Sequence, residues 1–101
     1  ESMTHETIHL RQAQFAGSWV KYYWRYFVEW VKGNPICHPA SSAYYTISYE
    51  MEAYANESNL DYPVNYDGSN LSRYKIKGGR KKLYKSVGGT SKAWMAYIKT
   101  L

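Results

Sequence analysis

His5-Glu6-Thr7-Ile8-His9 is the stretch of this sequence from which both the fold and the chemistry can be argued. It has the pattern H-E-x-x-H, and on a helix residues four apart lie on the same face, about 5–6 Å apart at Cβ. Two imidazoles at that spacing suit the binding of one Zn²⁺ ion. Glu6 lies between them, where it can take a proton from a water on such an ion. The stretch therefore predicts a helix that carries a zinc site, with His5 and His9 as ligands and Glu6 as the base.

The helical pattern continues well beyond this motif. Ser2 or Thr4 is predicted as the N-cap. Polar residues then recur at spacings of three or four as far as Lys32, which draws one polar stripe along a helix. Gly17-Ser18 is expected to kink this helix or to split it in two. Gly33-Asn34-Pro35 is expected to end it.

Nearly every other residue from Phe15 to Val31 is apolar or aromatic. Such a wide apolar face is typical of a helix that is covered on several sides, so a core position is the first expectation. Two other interpretations stay open. One is a helix that lies on a membrane surface, because Trp and Tyr beside a basic polar edge favour interfaces. The other is a helix that a larger assembly covers.

A second helix is predicted from Ser41 or Ser42 to about Asn56, and its apolar seam carries two carboxylates. The seam recurs at spacings of four and three: Ala43, Ile47, Glu50, Tyr54, Glu57. A carboxylate on an apolar stripe is costly to bury unless it is paired, hydrogen-bonded or bound to metal. Glu50 is therefore predicted as the third zinc ligand, with the fourth position open as in catalytic zinc sites. The alternative is an exposed edge on which Glu50 and Glu52 are both solvated.

Glu50-Met51-Glu52-Ala53 resembles the E-x-x-A signature of gluzincins, in which the first Glu is a zinc ligand. With the H-E-x-x-H stretch and the aromatic helix, residues 4–62 are similar to small zincin-like proteins of bacteria and their phages. The resemblance implies His5, His9 and Glu50 as zinc ligands and Glu6 as the general base. Many gluzincins have an Asp after the signature Ala, where this chain has Tyr54. Gln12 or Glu57 is therefore expected to orient a ligand histidine.

Other side chains are candidates for further roles in the same site. Those that can donate to a transition state are Tyr62, Tyr66, Arg73 and His38, and the sequence does not choose among them. His38 is also the weaker alternative for a third zinc ligand. Its neighbour Cys37 is interpreted as structural, because adjacent residues rarely bind one ion and no second cluster has finger-type spacing.

The last third of the chain is strongly basic. The net charge is +5, and all eight acidic residues lie at or before Asp67, whereas nine of the thirteen Lys and Arg follow it. Gly78-Gly79 predicts a basic β-hairpin here, and Thr90 or Ser91 is predicted to cap a short last helix. The hairpin is interpreted as solvated, with nucleic acid, anionic lipid or an acidic partner as alternatives. Its basic patch consists of Arg73, Lys75, Lys77, Arg80, Lys81, Lys82 and Lys85.

Length and composition predict one folded domain over residues 1–101. With 45% apolar and 18% aromatic residues the chain is too apolar to be disordered. The expected fold is mainly α, with a zincin-like pair of core helices in 1–57 and the basic tail, 58–101, packed on them. No run of 18 uncharged apolar residues and no opening signal peptide occur, so a transmembrane span is not expected. A cytoplasmic or phage-particle location is expected rather than secretion. The chain does not begin with Met, and a segment upstream of Glu1 is left open.

Together these features favour a zinc-dependent metallopeptidase that hydrolyses peptide or protein substrates. The alternative is a structural or interaction protein, such as a phage particle component, that keeps the zincin-like core without activity and joins a larger assembly. A nucleic-acid-binding module is a third interpretation, and it depends on the basic tail alone.

Overall fold

The computed structural model describes residues 2–32, 40–76 and 78–101, and within these ranges the chain is helical without a strand. The prediction of a mainly α fold is therefore confirmed. Cys37, His38 and Lys77 lie outside the described residues, so their predicted roles stay predictions. None of the described helices combines the length and the apolar character needed to cross a membrane. The elements, in order, are α1 (Met3–Ala16), α2 (Trp19–Lys32), α3 (Ala40–Tyr45), α4 (Ser48–Asn56), a 3₁₀ helix (Leu71–Tyr74), α5 (Arg80–Ser86) and α6 (Ser91–Ile98).

The boundaries of α1 follow local sequence signals. Ser2 is the N-cap, and its Oγ accepts the backbone N–H of His5 at 3.1 Å. Gly17 ends the helix in the left-handed conformation, with φ of 93°, and its N–H bonds to the carbonyl of Gln14. The expected split at Gly17-Ser18 is thus confirmed, and α2 begins at Trp19.

The second predicted helix is wrong in one respect, because it is broken into α3 and α4. Ile47 is extended, with φ of −68° and ψ of 128°. A carboxylate from α2 compensates the break, since Glu29 accepts the Ser48 hydroxyl at 2.6 Å and the Ser48 backbone N–H at 3.3 Å. Glu50 therefore lies in the first turn of α4 rather than in mid-helix. A carboxylate is favoured there by the partial positive charge of the helix N-terminus.

The predicted β-hairpin is also wrong. Gly78 and Gly79 do have the positive φ values of a tight turn, 70° and 62°, but the chain then enters α5. Residues 80–86 place Arg80 and Tyr84 one turn apart, and both are buried. Tyr84 packs against Trp94 of α6 with ring centroids 5.4 Å apart, and Arg80 pairs with Glu29 of α2 at 2.9 Å. These contacts need a 3.6-residue period, which a strand does not have.

Two buried clusters hold the helices together. In the first, Ala13 of α1 and Tyr22 of α2 meet Ile47 and Tyr49 at the start of α4. The second joins α4 to the C-terminal part of the chain through Met51, Tyr74, Tyr84, Trp94 and Ile98. Thr90 caps α6, as predicted, and the Trp94 indole donates to the Tyr45 carbonyl at 2.7 Å. Helix α4 therefore lies between α1 and the basic tail and is held on both sides.

The expectation that α2 is covered on several sides is wrong for the described part of the chain. Tyr22 is the one α2 residue that is buried there, and the side chains opposite it are exposed. The hydrogen bonds from α2 to α1, α4 and Arg80 of α5 involve Tyr22, Tyr26 and Glu29, which are spaced by four and three residues and so lie on one side of the helix. The two alternatives, a membrane surface and a larger assembly, thus remain for the other side.

Candidate metal centre

Helix α1 presents its two histidines toward α4. His5 is fully buried and His9 is partly buried, one turn further on. Their rings meet edge to face with centroids 4.7 Å apart, and the two Nε2 atoms lie 3.1 Å from each other. The spacing of four residues therefore brings one nitrogen from each ring to a common point, as the motif predicts.

Glu50 completes this point from the start of α4. Its Oε1 lies 3.1 Å from His5 Nε2 and 3.0 Å from His9 Nε2. The three atoms thus form a nearly equilateral triangle with sides of 3.0 to 3.1 Å. Zinc bonds of about 2.0–2.1 Å in a tetrahedral site separate neighbouring ligand atoms by about 3.3 Å, so the triangle is close to the size that the ion requires. Among the described residues, these three form a group whose ligand atoms can hold a metal ion.

The other nitrogen of each ring is held by a hydrogen-bond acceptor. His5 Nδ1 lies 2.9 Å from Oε1 of Glu57, and an ionised carboxylate only accepts. His9 Nδ1 lies 2.8 Å from Oε1 of Gln12. The amide nitrogen of Gln12 donates to the Tyr49 carbonyl and to Glu52, both at 2.9 Å, which leaves its oxygen to accept from His9.

Both histidines therefore carry their proton on Nδ1 when neutral and direct the lone pair of Nε2 inward. With both imidazoles neutral, these two lone pairs and the Glu50 carboxylate oxygen meet at about 3 Å, and either a proton on one Nε2 atom or a metal cation relieves their repulsion. Gln12 and Glu57 occupy the positions predicted for residues that orient the ligands. Tyr54 packs edge-on against the His5 ring, with centroids 4.3 Å apart.

The tyrosines predicted as transition-state donors have another partner. The hydroxyl of Tyr62 donates to Glu52 at 2.7 Å and that of Tyr66 at 2.9 Å. Burial and the Glu52 carboxylate both raise the pKa of Tyr62 and of Tyr66. Glu52 also accepts from Gln12, and Gln12 in turn contacts His9. The two tyrosine hydroxyls therefore act on His9 only indirectly, through Glu52 and Gln12. Arg73 is exposed on the 3₁₀ helix.

Two tyrosines of α2 that the sequence reasoning missed lie at the centre instead. Tyr26 donates to Oε2 of Glu50 at 2.6 Å, and the Tyr22 hydroxyl lies 2.9 Å from His9 Nδ1. Burial and the charge of Glu50 raise the pKa of Tyr22. Their spacing of four places both on one face of α2. The sequence does not single out this face, because α2 has eight other apolar or aromatic residues.

A cleft of about 290 Å³ opens beside the triangle. Its α1 side includes Glu6, which is exposed, and its floor includes His9 and Glu50. Its α2 side consists of aromatic rings, namely Trp19, Tyr22, Tyr23 and Tyr26. The predicted general base therefore faces the same cleft as two of the three predicted ligands.

Contacts within the cluster determine the protonation states of Glu50 and His9. Burial favours a higher pKa for Glu50, but hydrogen bonds from His5, His9 and Tyr26 outweigh it and lower the pKa of Glu50 to about 2. Burial lowers the pKa of His9, whereas the hydrogen bond and charge of Glu50 raise it, and the net pKa lies above its usual 6.5. Without metal, His9 is thus stabilised in its protonated form by an ionised Glu50.

This coupling predicts that acid weakens zinc binding. Zinc requires neutral His9, so the ion must displace a proton at any pH below the raised pKa of His9. Between pH 6 and pH 5, where Glu50 stays ionised, the apparent zinc affinity is expected to fall by up to about tenfold, the limit for displacement of one proton. Above the pKa of His9 the curve should flatten. Calorimetric titration with zinc across this range measures the slope, and an affinity independent of pH would contradict protonation of His9.

The residues of the predicted basic patch differ in their exposure. Arg80 is buried and donates to the carboxylate and the carbonyl of Glu29. Lys82 and Lys85 are exposed on α5, and Arg73 and Lys75 are exposed near the 3₁₀ helix. Binding of nucleic acid or of an acidic partner through these side chains stays a prediction.

The chain was also compared with models of protein families, with functionally curated proteins and with solved structures, and none of them matches it. The geometry of the site is therefore the main indication of what this protein does.

Proposed function

We propose that this protein is a zinc-dependent peptidase of the zincin type. The observation that carries the proposal is the convergence of His5, His9 and Glu50 on one point, with both Nδ1 atoms held by acceptors. The resemblance of the two motifs to gluzincins agrees with this role. A structural zinc site has four protein ligands, whereas three protein ligands beside an open cleft are typical of a catalytic one.

The residues around the cleft have separate parts in this reaction. The zinc ion, when bound, supplies a Lewis acid and lowers the pKa of a coordinated water to about 7. Glu6 accepts a proton from the attacking water and delivers it to the leaving amine. Tyr26 holds Oε2 of Glu50, which keeps Oε1 directed at the two histidines. The aromatic side of the cleft binds substrate side chains and excludes water from the scissile bond.

Metal analysis of the purified protein tests the proposal directly. About one zinc per chain is expected at neutral pH, and fewer than about one zinc per two chains would contradict the proposal. Hydrolysis of an unfolded substrate such as casein should stop when zinc is removed by a chelator and resume when zinc is added.

A second candidate is an interaction protein that retains the zincin-like core, for example as a part of a larger assembly. The exposed aromatic side of α2 favours this candidate, because large exposed apolar patches mark interaction surfaces and peptide hydrolysis does not require one. Full zinc occupancy without hydrolysis of any unfolded substrate would support the interaction protein and reject the peptidase.

A further inference from the structure

The side of α2 that faces away from the protein is apolar and exposed. We call it the aromatic face and define it as Trp19, Val20, Tyr23, Trp24, Phe27 and Val31, which are 47–80% exposed. It is continuous, since Trp19 stacks on Tyr23 at 5.7 Å and Trp24 approaches Phe27 at 6.3 Å. Contiguous apolar surface of this kind marks a site of contact with a partner or a membrane.

A row of cations follows one border of the aromatic face. Lys21, Arg25 and Lys32 are separated by four and seven residues, so they lie on one stripe of the helix, and all three are exposed. Beside this stripe is a cleft of about 330 Å³, lined by Arg25, Lys32 and Lys75 and, from α2, also by Trp24 and Val28. Positive charge is thus concentrated where the apolar surface ends.

We propose that α2 docks this protein on the surface of a lipid bilayer that contains anionic phospholipids. The aromatic face would enter the boundary between headgroups and acyl chains, and the cationic row would meet the lipid phosphates. Trp and Tyr suit that depth, because each ring has an apolar body and a polar tip. The helix has 14 residues and is about 21 Å long, so it lies along the surface with its whole face in contact.

Charge and ring chemistry favour lipid over the other occupants. A nucleic acid would use the cations but leave the aliphatic side chains Val20 and Val31 in water. A second copy of the chain would bring two cationic rows together, in a protein whose net charge is already +5. An anionic bilayer removes the apolar side chains from water and also pairs its phosphates with the cations.

The metal centre lies along the opposite border of the aromatic face. Trp19 and Tyr23 belong both to that face and to the cleft beside His9 and Glu50. A docked protein therefore opens its cleft at the boundary between lipid and water. The docking itself needs neither metal nor hydrolysis, so it stands or fails independently of the proposed function.

Co-sedimentation with vesicles tests the proposal. The full chain should bind vesicles of phosphatidylcholine with phosphatidylglycerol, should bind pure phosphatidylcholine at least about tenfold more weakly, and should be released from the anionic vesicles by salt. Failure to bind anionic vesicles would overturn the proposal, as would equal binding to both compositions. So would a dimer that forms through this face in the absence of any vesicle binding.

Matched double variants separate the face from general surface effects. Trp24→Ser with Phe27→Ser should lower the affinity for anionic vesicles more than about tenfold, through lost apolar contact. Leu60→Ser with Val64→Ser removes apolar side chains that are more exposed but lie far along the chain, and should have no effect.

Lys21→Gln with Lys32→Gln should lower the affinity about 25-fold, at about fivefold per cation. The control is Lys92→Gln with Lys99→Gln, which neutralises an exposed cation of α6 and the exposed C-cap residue of that helix. An equal loss of affinity in an α2 variant and its control would reject the assignment.

Tryptophan emission gives a second readout that does not depend on the double variants. Trp19, Trp24 and Trp30 belong to α2, whereas Trp94 is already fully buried in the core. Anionic vesicles should shift the emission to shorter wavelength as the α2 indoles leave water. Trp24→Phe should reduce the shift, and an unchanged spectrum on addition of vesicles would overturn the proposal.

Discussion

Replacement of Glu6 by glutamine is expected to leave zinc binding intact and to lower peptide hydrolysis by about 10²–10⁴-fold, the usual contribution of a general base. Glutamine keeps the shape of the side chain but cannot take a proton from water. Glu6 is exposed and belongs to none of the three contacts among the ligand atoms, so the fold and the metal affinity have no reason to change. The loss should appear in kcat with little change in KM.

Asp61→Asn is the matched control, because it also neutralises one exposed carboxylate. The control should hydrolyse the same substrate at the wild-type rate. Equal rates for Glu6→Gln and the wild type would assign the hydrolysis to another group or to a contaminant. Loss of zinc from Glu6→Gln would show that this residue supports the metal rather than the proton transfer.

Glu50→Gln is expected to weaken zinc binding by more than about 100-fold, since loss of groups that merely orient a ligand already costs about 10–100-fold. The amide oxygen is a neutral and weaker ligand than a carboxylate. The variant also removes the charge that favours protonated His9, so the pKa of that imidazole should fall. Calorimetry with zinc measures the first effect, and NMR titration of the His9 ring measures the second.

Glu52→Gln provides the comparison that separates a ligand from a buried acid. Glu52 lies two residues further along α4, is equally buried, and accepts from Gln12, Tyr62 and Tyr66. Its neutralisation should destabilise the fold by about 1–3 kcal/mol, because these donors lose a charged acceptor. Zinc affinity should change less than about tenfold, since Glu52 acts on His9 only through Gln12. Equal loss of zinc in both variants would contradict the assignment of Glu50 as the metal ligand.

Much of the candidate site could be predicted because its geometry is local. A spacing of four on one helix brings the Nε2 atoms of His5 and His9 together wherever the rest of the chain goes. Gln12, one turn beyond His9, is equally local. Glu50 is a long-range partner, but a carboxylate on an apolar seam requires some compensation, and the two histidines were the obvious source.

The roles of the tyrosines could not be predicted in the same way. Tyr62 and Tyr66 are candidates because a phenol can donate to a transition state, yet both donate to Glu52. Tyr22 and Tyr26 reach His9 and Glu50 only because α2 folds back on α1 after Gly17. The packing of three helices decides which tyrosine hydroxyl bonds to which carboxylate. The local sequence around one tyrosine among many aromatic residues does not predict that partner.

By itself the sequence indicated a helix start at Ser2 or Thr4, a kink or break at Gly17-Ser18, a helix cap at Thr90 or Ser91, and the paired imidazoles. Each of these depends on atoms within about four residues of one another. Only the tertiary structure decided that α3 and α4 separate, that α5 is a helix, and that the aromatic face of α2 is exposed. Glu29 supports the first two of these by binding Ser48 and Arg80, 19 and 51 residues away. Such contacts form only when distant segments have packed, so no local pattern could encode them.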